Sequence, residues 1–290
     1  MEITILSGKG GTGKTTVAAG LGEIFKDSIK VDCDVDAANL YLYYKGEVLN
    51  KEKFYSGKIA NINLDKCHRC NKCVLNCHFD AIKNYKIDDL KCEGCGVCKL
   101  VCPFDAIELK DNNIADIIEL KLDNGFLVMA DMKIGSDGSG KLILELREKA
   151  KKYNGTIIVD GSPGIGCPVI SSITGTDLVI IVTEPTMSGL GDLERILKLV
   201  NGFNLKKYVC INKYDINLAI TEKIKEFCNK NNIEIIGQIP FDSTVVKSVN
   251  NLKPIVLYED SLAGKEIKEI ANRIKKINEE EVYESSNSSR

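Results

Sequence analysis

Residues 8–16 read Gly-Lys-Gly-Gly-Thr-Gly-Lys-Thr-Thr, between an apolar run, Ile3–Leu6, and a helical pattern over Val17–Phe25. Gly8, Gly13, Lys14 and Thr15 fit the spacing G-x-x-x-x-G-K-[ST] in the strand–loop–helix context that gives it meaning. The glycines let successive backbone N–H groups curl around phosphate, and the helix N-terminus adds to that positive field. Gly8, Lys9, Gly10, Gly11, Thr12, Gly13, Lys14, Thr15 and Thr16 are the candidate nucleotide-binding loop. Lys14 is expected to reach the β- and γ-phosphates, and Thr15 to hold Mg2+.

Lys9, a second lysine near the start of the loop, resembles the deviant Walker A sequence of the MinD/ParA family of P-loop ATPases. That family includes the nitrogenase iron protein and Mrp-type iron–sulfur carriers. The resemblance implies ATP hydrolysis to ADP and phosphate, and a face-to-face dimer in which Lys9 reaches the partner's nucleotide.

Other positions match the family motif by motif. The strand Ile29–Asp32 leads into Asp-Cys-Asp-Val-Asp, which resembles switch I. Asp34 is the best match to the aspartate that positions the attacking water, with Asp36 next. Asp32 is expected to be structural or a helper at the metal. Thr156–Asp160 is an apolar strand ending in aspartate, a Walker B pattern in which Asp160 would hold Mg2+ through water. Gly161–Gly166 then looks like switch II, with the Gly164 amide placed to sense the γ-phosphate. Asn212, in Asn-Lys-Tyr-Asp, resembles the adenine-contacting asparagine. Pro240 and Asp242 fall where the family packs around the base. Lys9, Lys14, Asp34 and Asp160 are thus the candidate catalytic residues.

The chain holds twelve cysteines. Eight lie in an internal repeat offset by 25 residues: Asp65–Ile82 and Leu90–Ile107 superimpose at every cysteine, at the lysine before them and at Phe-Asp-Ala-Ile after them. Each half reads C-x2-C-x2-C-x3-C, the bacterial two-cluster ferredoxin run, in which the fourth cysteine ligates the other cluster. One [4Fe–4S] cluster is then assigned to Cys67, Cys70, Cys73 and Cys102, and the other to Cys92, Cys95, Cys98 and Cys77. Two zinc sites of four cysteines each are the rival, but zinc motifs pair C-x2-C halves across a longer spacer. His78 follows Cys77 where the second half has Pro103. His68 and His78 are read as surface or cluster-flanking residues. Cys33, Cys210 and Cys228 fall in core contexts. Cys167 lies seven residues after Asp160, the spacing of a cluster-bridging cysteine in the nitrogenase iron protein, but a second such cysteine has no convincing match.

The near-balanced formal charge of −2 argues against nonspecific nucleic-acid binding. No apolar run approaches 18 residues and no secretory signal opens the chain, so a cytoplasmic, non-membrane protein is expected. Strands alternating with helices, rich in Ile and Val, predict a mostly parallel α/β P-loop NTPase sheet flanked by helices. Into it an α+β bacterial-type ferredoxin domain is inserted. The expected division is 1–56 and 114–278 for the ATPase, 57–113 for the insert and 279–290 for a disordered tail. Tyr41–Ser56 has no clean period and reads as a connection. Function follows as an ATPase coupling nucleotide state to electron transfer. An ATP-dependent carrier or scaffold for iron–sulfur or metallocofactor assembly is the alternative. Expected cofactors are ATP/ADP, Mg2+ and two [4Fe–4S] clusters. Expected partners are a second copy or related ATPase and a redox or assembly client.

Overall fold

The computed structural model describes residues 1–288, with side chains described through Glu280. It divides into two compact units: residues 1–51, 117–130 and 139 onward, and residues 52–116 with 131–138. The second unit is therefore wider than the predicted insert 57–113 and takes in most of the glycine- and serine-rich loop after Met132.

In chain order the elements are β1 Glu2–Ser7, α1 Lys14–Ile24, β2 Ile29–Asp32, β3 Gly46–Ile62, α2 Lys72–Leu75, β4 Ile82–Lys83 and β5 Lys86–Ile87. Then come α3 Val97–Leu100, β6 Ile107–Leu122, β7 Gly125–Met132, α4 Ser139–Ala150, β8 Ile157–Pro163, α5 Cys167–Ile173 and β9 Leu178–Thr183. The chain continues through α6 Met187–Val200, β10 Lys206–Asn212, α7 Leu218–Lys230, β11 Glu234–Ile239, α8 Thr244–Asn250 and α9 Leu262–Ser288.

The main sheet has the order β11-β10-β9-β1-β8-β2-β7-β6-β3. From β11 to β7 every neighbouring pair is parallel. β1, β2 and β9 are buried at every residue, as strands covered on both faces must be. Ile3, Ile5, Ile180 and Val182 pack on one face with Val17 and Leu21 of α1 and with Ile267, Ile270 and Ile274 of α9. Leu6, Val179, Ile181 and Val209 face the other side, against Val169 of α5, Ile196 of α6 and Ile224 of α7. Gly237 lets α9 approach β11: a Cβ there would lie 2.4 Å from the Ile270 side chain.

Two expectations are corrected. Within Tyr41–Ser56, a short 3-10 helix at Leu40–Tyr43 is followed by the first part of β3, whose residues 46–53 are all exposed. A strand with neither face buried leaves no period-two signature. The last helix runs to Ser288, through the segment expected to be disordered; Lys275, Lys276, Glu279 and Glu280 are good helix formers. Ser289 and Arg290 lie outside the described residues.

In the second unit, Ala60, Cys73, Ile82 and Ile107 form a small core. β4 and β5 make a two-stranded antiparallel hairpin across Asn84 and Tyr85, both at positive φ, the geometry of a type I′ turn. The repeat is visible in the backbone. Arg69, Asn71 and Asp80 have φ of 54°, 62° and 50°, and their equivalents 25 residues on, Gly94, Gly96 and Asp105, have 62°, 82° and 47°. α2 and α3 each begin directly after a left-handed residue, Asn71 and Gly96.

Candidate functional site

The phosphate loop connects β1 to α1 at the carboxyl edge of the parallel sheet, where ligands bind in open α/β folds. Gly13 begins α1 with φ of 94°, and a Cβ there would lie 2.3 Å from Asn212 Nδ2; both the left-handed backbone and the close approach require glycine. β8 lies beside β1 and β2, with Asp160 in register with Ile5 and with Asp32. The sheet thus brings Walker B to the phosphate loop.

Lys14 and Asp160 are both buried, and Lys14 Nζ donates to Asp160 Oδ1 at 2.6 Å. Thr15 Oγ1 donates to the other carboxylate oxygen, also at 2.6 Å. Asp34 Oδ2 lies 3.6 Å from Lys14 Nζ. Burial alone lowers the Lys14 pKa, but Asp160, then Asp34 and Asp32, outweigh it and hold the ammonium above its usual value. Burial raises the Asp34 pKa, opposed by Lys14 and assisted by Asp160.

Asp32 takes the structural role. Its carboxylate is buried and accepts from the backbone N–H groups of Asp34 (3.2 Å), Asn39 (3.0 Å) and Leu40 (2.9 Å), folding the loop that carries Asp34. Burial first, then Asp160, raises its pKa.

Gly10, Gly11, Gly13, Lys14, Thr15, Thr16 and Asp34 line a cleft of about 440 Å3, bounded also by Tyr43, Val249 and Leu252. A second cavity of about 290 Å3 shares Gly11, Gly13 and Thr16 and extends to Asn212, Pro240 and Asp242. Asn212 Nδ2 donates to the Thr12 carbonyl at 2.7 Å. Thr12 Oγ1 is buried with no hydrogen-bond partner among the described residues. Asp242 lines the cavity, but its carboxylate is committed to protein: it accepts from Thr244 N, Ser261 Oγ and Ala263 N. Asp242 thereby staples the starts of α8 and α9, a role that only the three-dimensional neighbours reveal.

Two further residues are engaged differently from expectation. The Gly164 amide donates to the Ser7 carbonyl at 2.9 Å. Lys9 Nζ is held within its own chain, 2.7 Å from Glu184 Oε1 and 3.0 Å from Ser188 Oγ.

In the second unit, Cys67, Cys70, Cys73 and Cys102 line one pocket with His68, Asn71, Lys72 and Tyr85. Cys92, Cys95, Cys98 and Cys77 line another with Phe79, Ile82 and Ile87. Each pocket therefore takes three cysteines from one half of the repeat and the fourth from the other. All eight are free thiols. Ala106 N–H donates to Cys102 Sγ at 3.4 Å. Among the described residues no three His, Cys, Asp or Glu side chains gather tightly enough to hold a single metal ion. Of the remaining cysteines, Cys33, Cys210 and Cys228 are buried and Cys167 is exposed at the start of α5. His68 and His78 are exposed, and the His68 ring lies 4.2 Å from that of Phe104.

A parallel sheet with a lysine- and glycine-rich loop facing a Walker B aspartate defines a P-loop nucleotide-binding protein. The chain matches the CobQ/CobB/MinD/ParA nucleotide binding domain over residues 3–255 and belongs to that family. It is a P-loop ATPase. MJ0578 of Methanocaldococcus jannaschii is 37% identical over 282 residues, covering 96% of this chain and 97% of the relative. The ATP-binding protein MJ0823 of the same organism is 29% identical, covering 96% and 98%. The solved septum site-determining protein MinD of Pyrococcus horikoshii, complexed with Mg-ADP, shares the fold with a TM-score of 0.58 at 20% identity, covering 96% of each chain.

Proposed function

We propose that this ATPase couples its nucleotide state to electron transfer through two [4Fe–4S] clusters. The observation that carries the reading is the crossed gathering of thiols: two pockets, each lined by four cysteines in the three-plus-one pattern of a two-cluster ferredoxin. Cys67, Cys70, Cys73 and Cys102 would hold one cluster, and Cys92, Cys95, Cys98 and Cys77 the other. Residues with positive φ recur at every second position, Arg69 and Asn71 in one loop and Gly94 and Gly96 in the other, and such alternation can turn successive N–H groups toward an anion. Bound there, a cluster supplies one-electron redox chemistry at thiolate-ligated iron.

At the nucleotide, Lys14 and Thr15 would leave Asp160 for the phosphates and Mg2+, with Asp160 turning to the metal's water shell. Asp34 would orient the water that attacks the γ-phosphorus as the bond to ADP breaks. The partner subunit's Lys9 would neutralise charge on the phosphates, and Gly164 N–H would exchange its Ser7 carbonyl for the γ-phosphate. Asn212 and Pro240 would flank the base, and Asp242 would shape its pocket from behind. The chain passes between its two units within β3, β6 and β7 and again just before α4, and β3 follows the Asp34 loop in sequence, which gives a change in that loop a covalent route to the cysteine repeat.

The test is an anaerobic redox titration of the reconstituted full chain, followed by electron paramagnetic resonance without nucleotide, with MgADP and with MgATP. A nucleotide-dependent change in potential or line shape is expected. Loaded clusters that ignore nucleotide would overturn the coupling. Release of cluster to an apo acceptor during hydrolysis would instead establish the carrier alternative.

A further inference from the structure

We propose that the two cysteine pockets are electrostatically unequal. A cluster held by Cys67, Cys70, Cys73 and Cys102 is reduced at a higher potential than one held by Cys92, Cys95, Cys98 and Cys77. An electron entering the unit comes to rest at the former. The inference rests on the cluster reading above and adds a direction to it.

The argument starts from what the repeat keeps and what it changes. It keeps the backbone: the left-handed positions recur at the 25-residue offset. It changes the residues between the ligands. The first loop reads Cys-His-Arg-Cys-Asn-Lys-Cys, and the second reads Cys-Glu-Gly-Cys-Gly-Val-Cys. His68 is thus matched by Glu93, Arg69 by Gly94, Asn71 by Gly96 and Lys72 by Val97. Two cations stand on one loop where one anion stands on the other. The backbone follows the same turns in both loops, so a different chain path does not offset the difference.

The neighbours extend the contrast. At the first pocket, the Tyr85 hydroxyl donates to Asn71 Oδ1 at 2.6 Å and contacts the Arg69 carbonyl at 3.1 Å. The Arg69 guanidinium lies 5.9 Å from the Tyr85 ring centre, which keeps the cation beside the loop. The Ala106 N–H reaches Cys102 Sγ; among the described residues the equivalent pair, Ala81 and Cys77, makes no such bond. The second pocket is walled by Ala60, Phe79, Ala81, Ile82 and Ile87, with Glu93 as its charged member.

Reduction adds one negative charge to an already anionic thiolate cluster. Cations and N–H donors to sulfur favour the reduced form and raise the potential, whereas a nearby carboxylate and an apolar wall lower it. Arg69, Lys72 and Glu93 are exposed, so solvent and salt attenuate each contribution. All three nevertheless act in the same direction; Lys99, which follows Cys98 where Val74 follows Cys73, is a cation placed against them, and it too is exposed. The electron that leaves one site is the electron the other gains, so the ordering needs no further reactant.

The test uses the full chain, reconstituted anaerobically with ferrous iron and sulfide, and assayed first for the iron and labile sulfide of two cubanes. A potentiometric titration followed by electron paramagnetic resonance at fixed ionic strength should give two resolved one-electron waves. Arg69→Gln combined with Lys72→Gln should move the upper wave down and leave the lower one in place. Glu93→Gln should move the lower wave up. A single unsplit wave, or substitutions that move the wrong wave, would overturn the proposal while leaving the cluster reading intact. Absence of iron and sulfide would overturn the cluster reading itself, and this inference with it. If the double variant fails to load, Glu93→Gln decides alone, because its expected shift has the opposite sign.

Discussion

Asn212 Nδ2 donates to the carbonyl oxygen of Thr12 at 2.7 Å, tying the end of β10 to the phosphate loop across 200 residues of sequence. Asn212→Ala removes that tie and part of the wall of the cavity proposed for the base. If the loosened phosphate loop costs ATP binding the worth of that one neutral hydrogen bond, about 1 kcal/mol, KM for ATP should rise about fivefold. The turnover number should hold, because no group near the γ-phosphate changes. Steady-state ATPase kinetics will separate the two.

The Lys14–Asp160 pair predicts an uncoupling of stability from activity. Asp160→Asn strands a buried ammonium with only the more distant Asp34 and Asp32 to oppose its charge. Leaving a buried charge unpaired costs about 3 kcal/mol. Denaturant unfolding without nucleotide should show that loss. Lys14→Met in the same chain should recover most of it, while hydrolysis stays abolished in both variants.

The proposed crossed ligation has a grouping test. Cys77→Ser should disturb the same paramagnetic signal as Cys95→Ser, although Cys77 sits in the other half of the repeat. Cys102→Ser should group with Cys70→Ser. If instead each signal follows its own sequence half, the assignment of Cys77 and Cys102 is wrong.

Asp242 predicts an acid-side loss of stability. Partial burial raises its pKa, but hydrogen bonds from Ser261, Thr244 and Ala263 outweigh this and hold it at about 2, below the usual 3.8. A depressed carboxylate contributes stability above its unfolded pKa and loses it as pH falls through the folded one. The window therefore runs from about pH 4 down to about pH 2. After allowance for solvent screening the contribution is about 1 kcal/mol. Asp242→Asn should be less stable than the parent above that window and should flatten the pH dependence within it, as followed by thermal unfolding.

Lys9 is engaged in cis with Glu184 and Ser188, so a role across a dimer requires it to exchange partners. Light scattering should show ATP-dependent dimerisation that Lys9→Ala abolishes. Glu184→Gln, by weakening the competing contact, should strengthen it. A constitutive dimer indifferent to ATP would refute the exchange.

Local signals made the nucleotide site legible. The phosphate loop, β8 and its terminal Asp160 each carry their own pattern, and the parallel sheet places them together. The grouping of the cysteines about two pockets was readable too, because the repeat sets which cysteine of each half stands apart from the other three. β3 was not: residues 46–53 are exposed on both faces, and their order comes from pairing with β6 rather than from burial. Asp242 was assigned to the base because its position in sequence suggests it, whereas Ser261 and Ala263, which claim its carboxylate, lie about twenty residues away. α9 continues past Ile277, and an acidic, polar composition does not display that continuity.

The pairing of Lys14 with Asp160 also changes what nucleotide entry means. The loop is not a vacant positive cradle awaiting an anion, since its principal cation already holds a counter-ion at 2.6 Å. Under the proposed function, binding would be an ion exchange: the triphosphate would displace a carboxylate, and that carboxylate would then have to be received by a metal or repel the newcomer. Metal-free ATP would leave Asp160 facing phosphate with nothing between them. On that reading, discrimination in favour of the magnesium complex would be built into the resting state of the loop, before any ligand arrives.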